Sequence, residues 1–117
     1  MSQEERRRTQ RAKQHFMVHY RGPGQGTWDA VPLKDLSRDG ARFFCSHPLK
    51  VGDELRLRLS FPFVKEEVRA QARVIWTRSI GGTAFSMAEI GVTFLILDPA
   101  VQEAINAAVE SFLKLPS

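Results

Sequence analysis

The chain has 117 residues, 43% of them apolar and 9% aromatic, which supports one domain with its own core and excludes a disordered chain. Its single cysteine, Cys45, excludes a disulfide scaffold and fits a reducing compartment. The formal charge of +4 lies wholly in residues 1–21, where six basic residues face two acidic ones, while residues 22–117 balance; a basic arm of this kind implies an anionic partner, whether phosphate, nucleic acid or membrane surface.

In chain order, residues 1–14 read as a flexible basic arm and residues 15–117 as one folded body. The start, MSQEERRRTQRAKQ, has no apolar h-region, so no secretory signal is expected. Apolar stretches such as FLIL at 94–97 are far too short for a membrane helix. His15 to Tyr20 alternates weakly and predicts a first strand, and GPGQG at 22–26 breaks it. Thr27 to Leu36 predicts a second strand, placed at an edge or bulged because Pro32 cannot donate to a ladder. Asp39-Gly40 signals a hairpin into a third strand over Ala41–Ser46.

The clearest strand follows: Leu55, Leu57, Leu59 and Phe61 alternate with Arg56, Arg58 and Ser60, so period two sends leucines inward and arginines to water. Val68, Ala70, Ala72, Val74 and Trp76 form another inward-reading face, which predicts core packing for Trp76. Gly81-Gly82 marks a loop, and Ile90 to Leu97 predicts a last strand covered on both sides. Asp98-Pro99 then opens a helix over 99–115, with Asp98 as cap and Pro99 at its first position. Its apolar stripe is Val101, Ile105, Ala108, Val109, Phe112 and Leu113. The fold class is all-β with a terminal helix: a small six-stranded antiparallel barrel with the C-terminal helix packed against it.

Two constellations carry the function. One is Arg6-Arg7-Arg8-Thr9-Gln10-Arg11. The other is Asp35-Leu36-Ser37-Arg38-Asp39-Gly40, on the turn before a strand. Together they read RRxxxR followed by DxSxxG. With the PLKVGDELRLRLSF turn and strand, the VRAQARVIW strand and the EIGVTFL strand before a terminal helix, the chain resembles the PilZ domain family of cyclic di-GMP receptors along nearly its whole length. The resemblance implies a split-barrel fold, no catalytic activity, no cofactor beyond the nucleotide ligand, and a single-domain member in the cytoplasm. It implies ligand contacts at Arg6, Arg7, Arg11, Asp35, Ser37 and Gly40, with Arg6 on a second ligand or a phosphate. Arg8, Arg38, Arg42 and Trp76 are secondary candidates; Trp76 stands where members often carry an aromatic, and so can stack on a guanine instead of packing in the core.

The chemistry of these residue types agrees with that ligand. An arginine fork donates two parallel hydrogen bonds to guanine O6 and N7 or to phosphate oxygens, and its plane stacks on a purine. Arg7 and Arg11, four apart, share a face if the arm takes a helical turn. Asp35 and Ser37 can brace a turn through bonds to the backbone. Asp35 can also accept from a guanine N–H or orient an arginine, and Ser37 can donate to the ligand. Gly40 can take positive φ and admit a ligand close to the backbone. Ligand would order the arm, and an unidentified partner in motility, pilus or exopolysaccharide machinery would read the change.

Enzyme constellations fail. Cys45 sits in a strand-like run beside Phe44 and reads as a buried thiol. His15 and His19 on a strand lie about 13 Å apart at about 3.3 Å per residue, too far to share a metal. Glu66 and Glu67 are adjacent and would point to opposite faces of a strand, and GPGQG is neither a P-loop nor a dinucleotide fingerprint. Two other readings compete: a nucleic-acid-binding small barrel using the basic arm, which the neutral body disfavours, and a ligand-free interaction module that kept the fold, which the intact motifs disfavour.

Overall fold

The computed structural model describes residues 16–46, 49–62, 64–80 and 87–114. Alternation along the chain is realised as six antiparallel strands: β1 (Met17–Arg21), β2 (Asp29–Leu36), β3 (Gly40–Cys45), β4 (Glu54–Ser60), β5 (Val68–Ile80) and β6 (Met87–Phe94), followed by a helix, α1 (Pro99–Leu113). The strands close into a barrel in the order β1-β2-β3-β6-β5-β4. Closure removes the free edges that a six-strand open sheet would expose.

The core follows from period two. Leu55, Leu57 and Leu59 of β4 are at most 1% exposed while Arg56 and Arg58 point outward. Val18 and Tyr20 of β1, Phe43 and Cys45 of β3 and Ile90 and Val92 of β6 meet them inside. Each such side chain contributes about 1.5–3 kcal/mol by leaving water. Cys45 is buried as expected.

Two sequence expectations about β2 combine. Its register with β3 begins only at Leu33, so Pro32 lies on a stretch paired with β1 alone, where a missing N–H costs the ladder nothing. A register shift between Leu33 and Asp35 adds the bulge.

The GPGQG segment is a plugged turn. The Gln25 side chain is 9% exposed; its Oε1 accepts from Gly22 N–H at 3.0 Å, and its Nε2 donates to the carbonyls of Tyr20 at 3.1 Å and Thr27 at 2.9 Å. One amide thus replaces the ladder partners that the chain loses on leaving β1.

The last strand and the helix differ in detail from the sequence expectation. β6 starts at Met87 and ends at Phe94, not Leu97, with Leu95 N–H still donating to the Gln71 carbonyl of β5 at 2.8 Å. Helix α1 is capped by Asp98 backbone geometry (φ −62°, ψ 148°), with Gln102 N–H on the Asp98 carbonyl and no side-chain cap bond. Its buried face is Ile105, Ala108, Val109 and Phe112, whereas Leu113 is 70% exposed at the last turn. Phe112 meets Phe16 edge-on at 5.2 Å between ring centroids, and Phe16 leans on Phe61 at 5.9 Å, which seats the helix on the barrel.

Candidate ligand site at the β2–β3 hairpin

The hairpin between β2 and β3 is built by its own motif. Ser37 N–H donates to the Gly40 carbonyl at 2.8 Å, and Gly40 N–H donates to Ser37 Oγ at 3.0 Å. Ser37 Oγ also reaches the Gly40 carbonyl at 3.2 Å. Of its two expected roles, Ser37 therefore occupies the bracing one. Arg38 and Asp39 form the tip. The Asp39 carbonyl accepts from Phe94 N–H at 2.7 Å, and the Arg38 carbonyl accepts from Gln102 Nε2 of α1 at 3.2 Å. The turn is thus pinned from β6 and from the helix.

Gly40 is required for a reason other than the expected one. Among the described residues, positive φ occurs only at Gly24 and Gly52. A Cβ on Gly40 would instead sit 2.0 Å from the Val92 carbonyl oxygen of β6. The glycine lets β3 approach β6, and through that approach it closes the hairpin onto the sheet.

Asp35 keeps an open carboxylate. Its Oδ1 accepts from Leu36 N–H at 2.9 Å, and its Oδ2 lies 3.6 Å from Arg42 NH2, with the side chain 53% exposed. Acceptor capacity remains for a further donor. Arg42, the next outward residue along β3 from Gly40, is held beside it with donors to spare.

Trp76 corrects the sequence reading. Val74 pairs with Val92 and Trp76 with Gly91, so Ile75 is the extra residue of a bulge. The bulge breaks the alternation: Trp76 is 37% and Ile75 51% exposed, and neither enters the core. The indole packs against Gly91, where a Cβ would run into the Trp76 ring at Nε1. A groove of about 320 Å³ results, with Asp35, Ser37, Gly40 and Arg42 on one side and Ile75, Trp76, Gly91 and Thr93 on the other. Sequence reading missed Gly91 and Thr93, because the bulge that sets Trp76 against Gly91 leaves no mark in the alternation of β5. Of the secondary candidates, Arg42 and Trp76 join the groove, and Arg38 is exposed at the tip outside it. Arg6, Arg7, Arg8 and Arg11 lie outside the described residues.

The same outer face carries a second polar feature. Glu89 of β6 is 1% exposed and is gripped by Lys34 of β2 at 3.0 Å and Arg78 of β5 at 2.7 Å. Lys34 hydrogen bonding, then the Arg78 and Arg42 charges, hold its carboxyl below the usual range against the opposing effect of burial. Lys34 also lies 4.5 Å above the Phe44 ring. This cluster ties β2, β5 and β6 together along the face that ends in the groove. Among the described residues, no group of three or more His, Cys, Asp and Glu side chains gathers as a metal site. Nor is any helix among them long and apolar enough to cross a membrane.

Comparison with known proteins agrees with this architecture. No curated protein matches the chain. Among solved structures, the fold is similar to K. pneumonia MrkH, with TM-score 0.68 at 17% identity over 87% of this chain and 46% of that one. The chain thus spans about half the length of that relative. It is similar to the PilZ domain of CeSA from a cellulose-synthesizing bacterium (TM-score 0.58, 18% identity, covering 84% of this chain and 92% of that one). It is similar as well to the PilZ domain with c-di-GMP of YcgR from Escherichia coli (TM-score 0.62, 14% identity, covering 85% and 82%). The profile of the PilZ domain matches residues 5–111, a span that holds both the arginine run and the hairpin motif, and the chain belongs to the PilZ domain family.

Proposed function

We propose that the chain is a non-catalytic receptor for cyclic di-GMP, held between the arginine arm and the β2–β3 hairpin. The observation that carries this reading is the groove itself: the half-exposed Asp35 carboxylate with acceptor capacity to spare, the donors of Arg42 and the indole of Trp76 open onto one concavity beside Gly40. That set matches one guanine. Asp35 accepts from its N1–H or N2–H, Trp76 offers a stacking face, and arginine addresses O6, N7 and phosphate. Arg7 and Arg11 close over the ligand from the arm, and Arg6 takes a phosphate or a second ligand. Ser37 and Gly40 serve by fixing the turn. Family membership and the c-di-GMP in the YcgR domain support the choice of ligand.

In this reading ligand orders the arm across the barrel, and a downstream partner reads the altered surface. The setting is the cytoplasm, with a motility, pilus or exopolysaccharide component as the partner class. Calorimetry tests the proposal. Cyclic di-GMP binds saturably, and GMP, GTP and oligonucleotides do not displace it. Arg7→Ala and Arg11→Ala each weaken binding by about 1–3 kcal/mol, the value of a lost bidentate guanine contact. Wild-type affinity in both variants overturns the mechanism, and displacement by oligonucleotides transfers the arm to nucleic-acid binding.

A further inference from the structure

A second and larger cavity, of about 650 Å³, lies on another face of the barrel, between the outer side of β4–β5 and the segment leading into α1. Arg56 and Arg58 of β4 and Arg69 of β5 line one side; Trp28 stands at the end, and Ile96, Leu97 and Val101 form the opposite wall. The register sets like charges directly opposite each other: Arg58 against Arg69, and Arg56 against Arg21 of β1. Such pairs destabilise a sheet. Arg58 is offset by Glu67 at 2.9 Å and by the Trp28 ring at 4.9 Å, and the same Glu67 carboxylate acts on Arg69 more weakly and at longer range. Arg56 and Arg69 are exposed and make no ion pair among the described residues. Facing them, Ile96 is 102% exposed, an apolar side chain wholly in water.

We propose that this cavity is a docking groove for an acidic and apolar peptide segment of a partner protein. Carboxylates would meet Arg56 and Arg69, and apolar side chains would cover Ile96 and rest against Val101. Charge complementarity selects the occupant. The arginines require anions, while the apolar wall gives nothing to a phosphodiester backbone and suits apolar side chains interspersed with carboxylates. The groove is also joined to the hairpin. Phe94 N–H holds the Asp39 carbonyl of the turn, the next residue, Leu95, holds the Gln71 carbonyl in the groove, and Gln102 beside Val101 holds the Arg38 carbonyl. The inference stands on the groove alone and does not depend on which ligand the hairpin takes.

The test is fluorescence anisotropy on the full chain with a short fluorescein-labelled peptide of mixed glutamate and leucine. Wild type binds it, more weakly as salt is added, and does not bind the same peptide with glutamine for glutamate. The double variant Arg56→Gln/Arg69→Gln weakens binding at least about tenfold, and its melting temperature stays at or above wild type because opposed charges have been removed. Four results overturn the proposal: no binding by wild type; equal binding by the double variant, which would assign the peptide to the basic arm; a lowered melting temperature, which would make the arginines structural; or tighter binding of a labelled oligothymidylate lost in the same variant, which would make the groove a nucleic-acid site.

Discussion

At the residue scale, several side chains do something other than their type suggests. Gly40 looked like a turn glycine and is a contact glycine: the obstacle to any Cβ is backbone of β6, which cannot step aside as a side chain can. Gly40→Ala is therefore expected to cost at least about 1–3 kcal/mol in urea unfolding, the scale of overpacking. The same change at Gly26, where a Cβ meets nothing within 4 Å, stays near wild type. Glu89 gives a pH signature. Its folded-state pKa lies below the ordinary 4.5, so its contribution to stability is fully present above that value and is lost as acid carries the pH down through the folded-state pKa. Unfolding measured from neutral pH downward should show wild type losing stability below about pH 4.5 more steeply than Glu89→Gln. Neither role is visible in sequence, because Val92 and Lys34 reach these positions only through strands distant along the chain, and Arg78 meets Glu89 only through the β5–β6 register that follows the bulge.

At the element scale, what was legible is what alternation alone determines. β4 repeats leucine and arginine without interruption, and the barrel places it as the pattern requires. β5 begins the same way, and there the pattern misleads, because one inserted residue at Ile75 reverses the face of everything after it. The bulge is also what presents the indole to the groove; unbroken alternation would have buried it. Trp76→Ala accordingly separates two roles. If the indole belongs to the site, calorimetry shows cyclic di-GMP binding weakened by about 1–3 kcal/mol, the worth of a base–aromatic stack. Thermal unfolding then moves far less than the loss of about 3–5 kcal/mol expected for a core aromatic. The hairpin motif was readable as a turn, but not its anchoring by Phe94 and Gln102, which lie more than fifty residues away. The Gln25 plug was likewise hidden, since nothing in GPGQG announces that its amide turns inward.

At the scale of the whole molecule, the closed barrel separates tasks by face. Its interior is leucine, phenylalanine and valine and carries the stability. One outer face, across β2, β3, β6 and β5, gathers Asp35, Arg42, Trp76 and the Glu89 cluster around the groove. Another, on β4 and β5, collects arginines against an apolar wall. The net charge of +4 belongs to the arm in sequence, while the balanced body pairs several of its acids with neighbouring bases and leaves Arg56 and Arg69 outside such pairs among the described residues. The central claim is that arm and hairpin hold one ligand together. Its most direct test is NMR of the labelled chain titrated with cyclic di-GMP, in wild type and in Arg7→Ala/Arg11→Ala. The account predicts shifts at the amides of Ser37, Gly40 and Gly91 and at the Trp76 indole in wild type, lost in the double variant at the same ligand concentration. Shifts confined to other faces of the barrel, or hairpin shifts that persist unchanged without the two arginines, would contradict it.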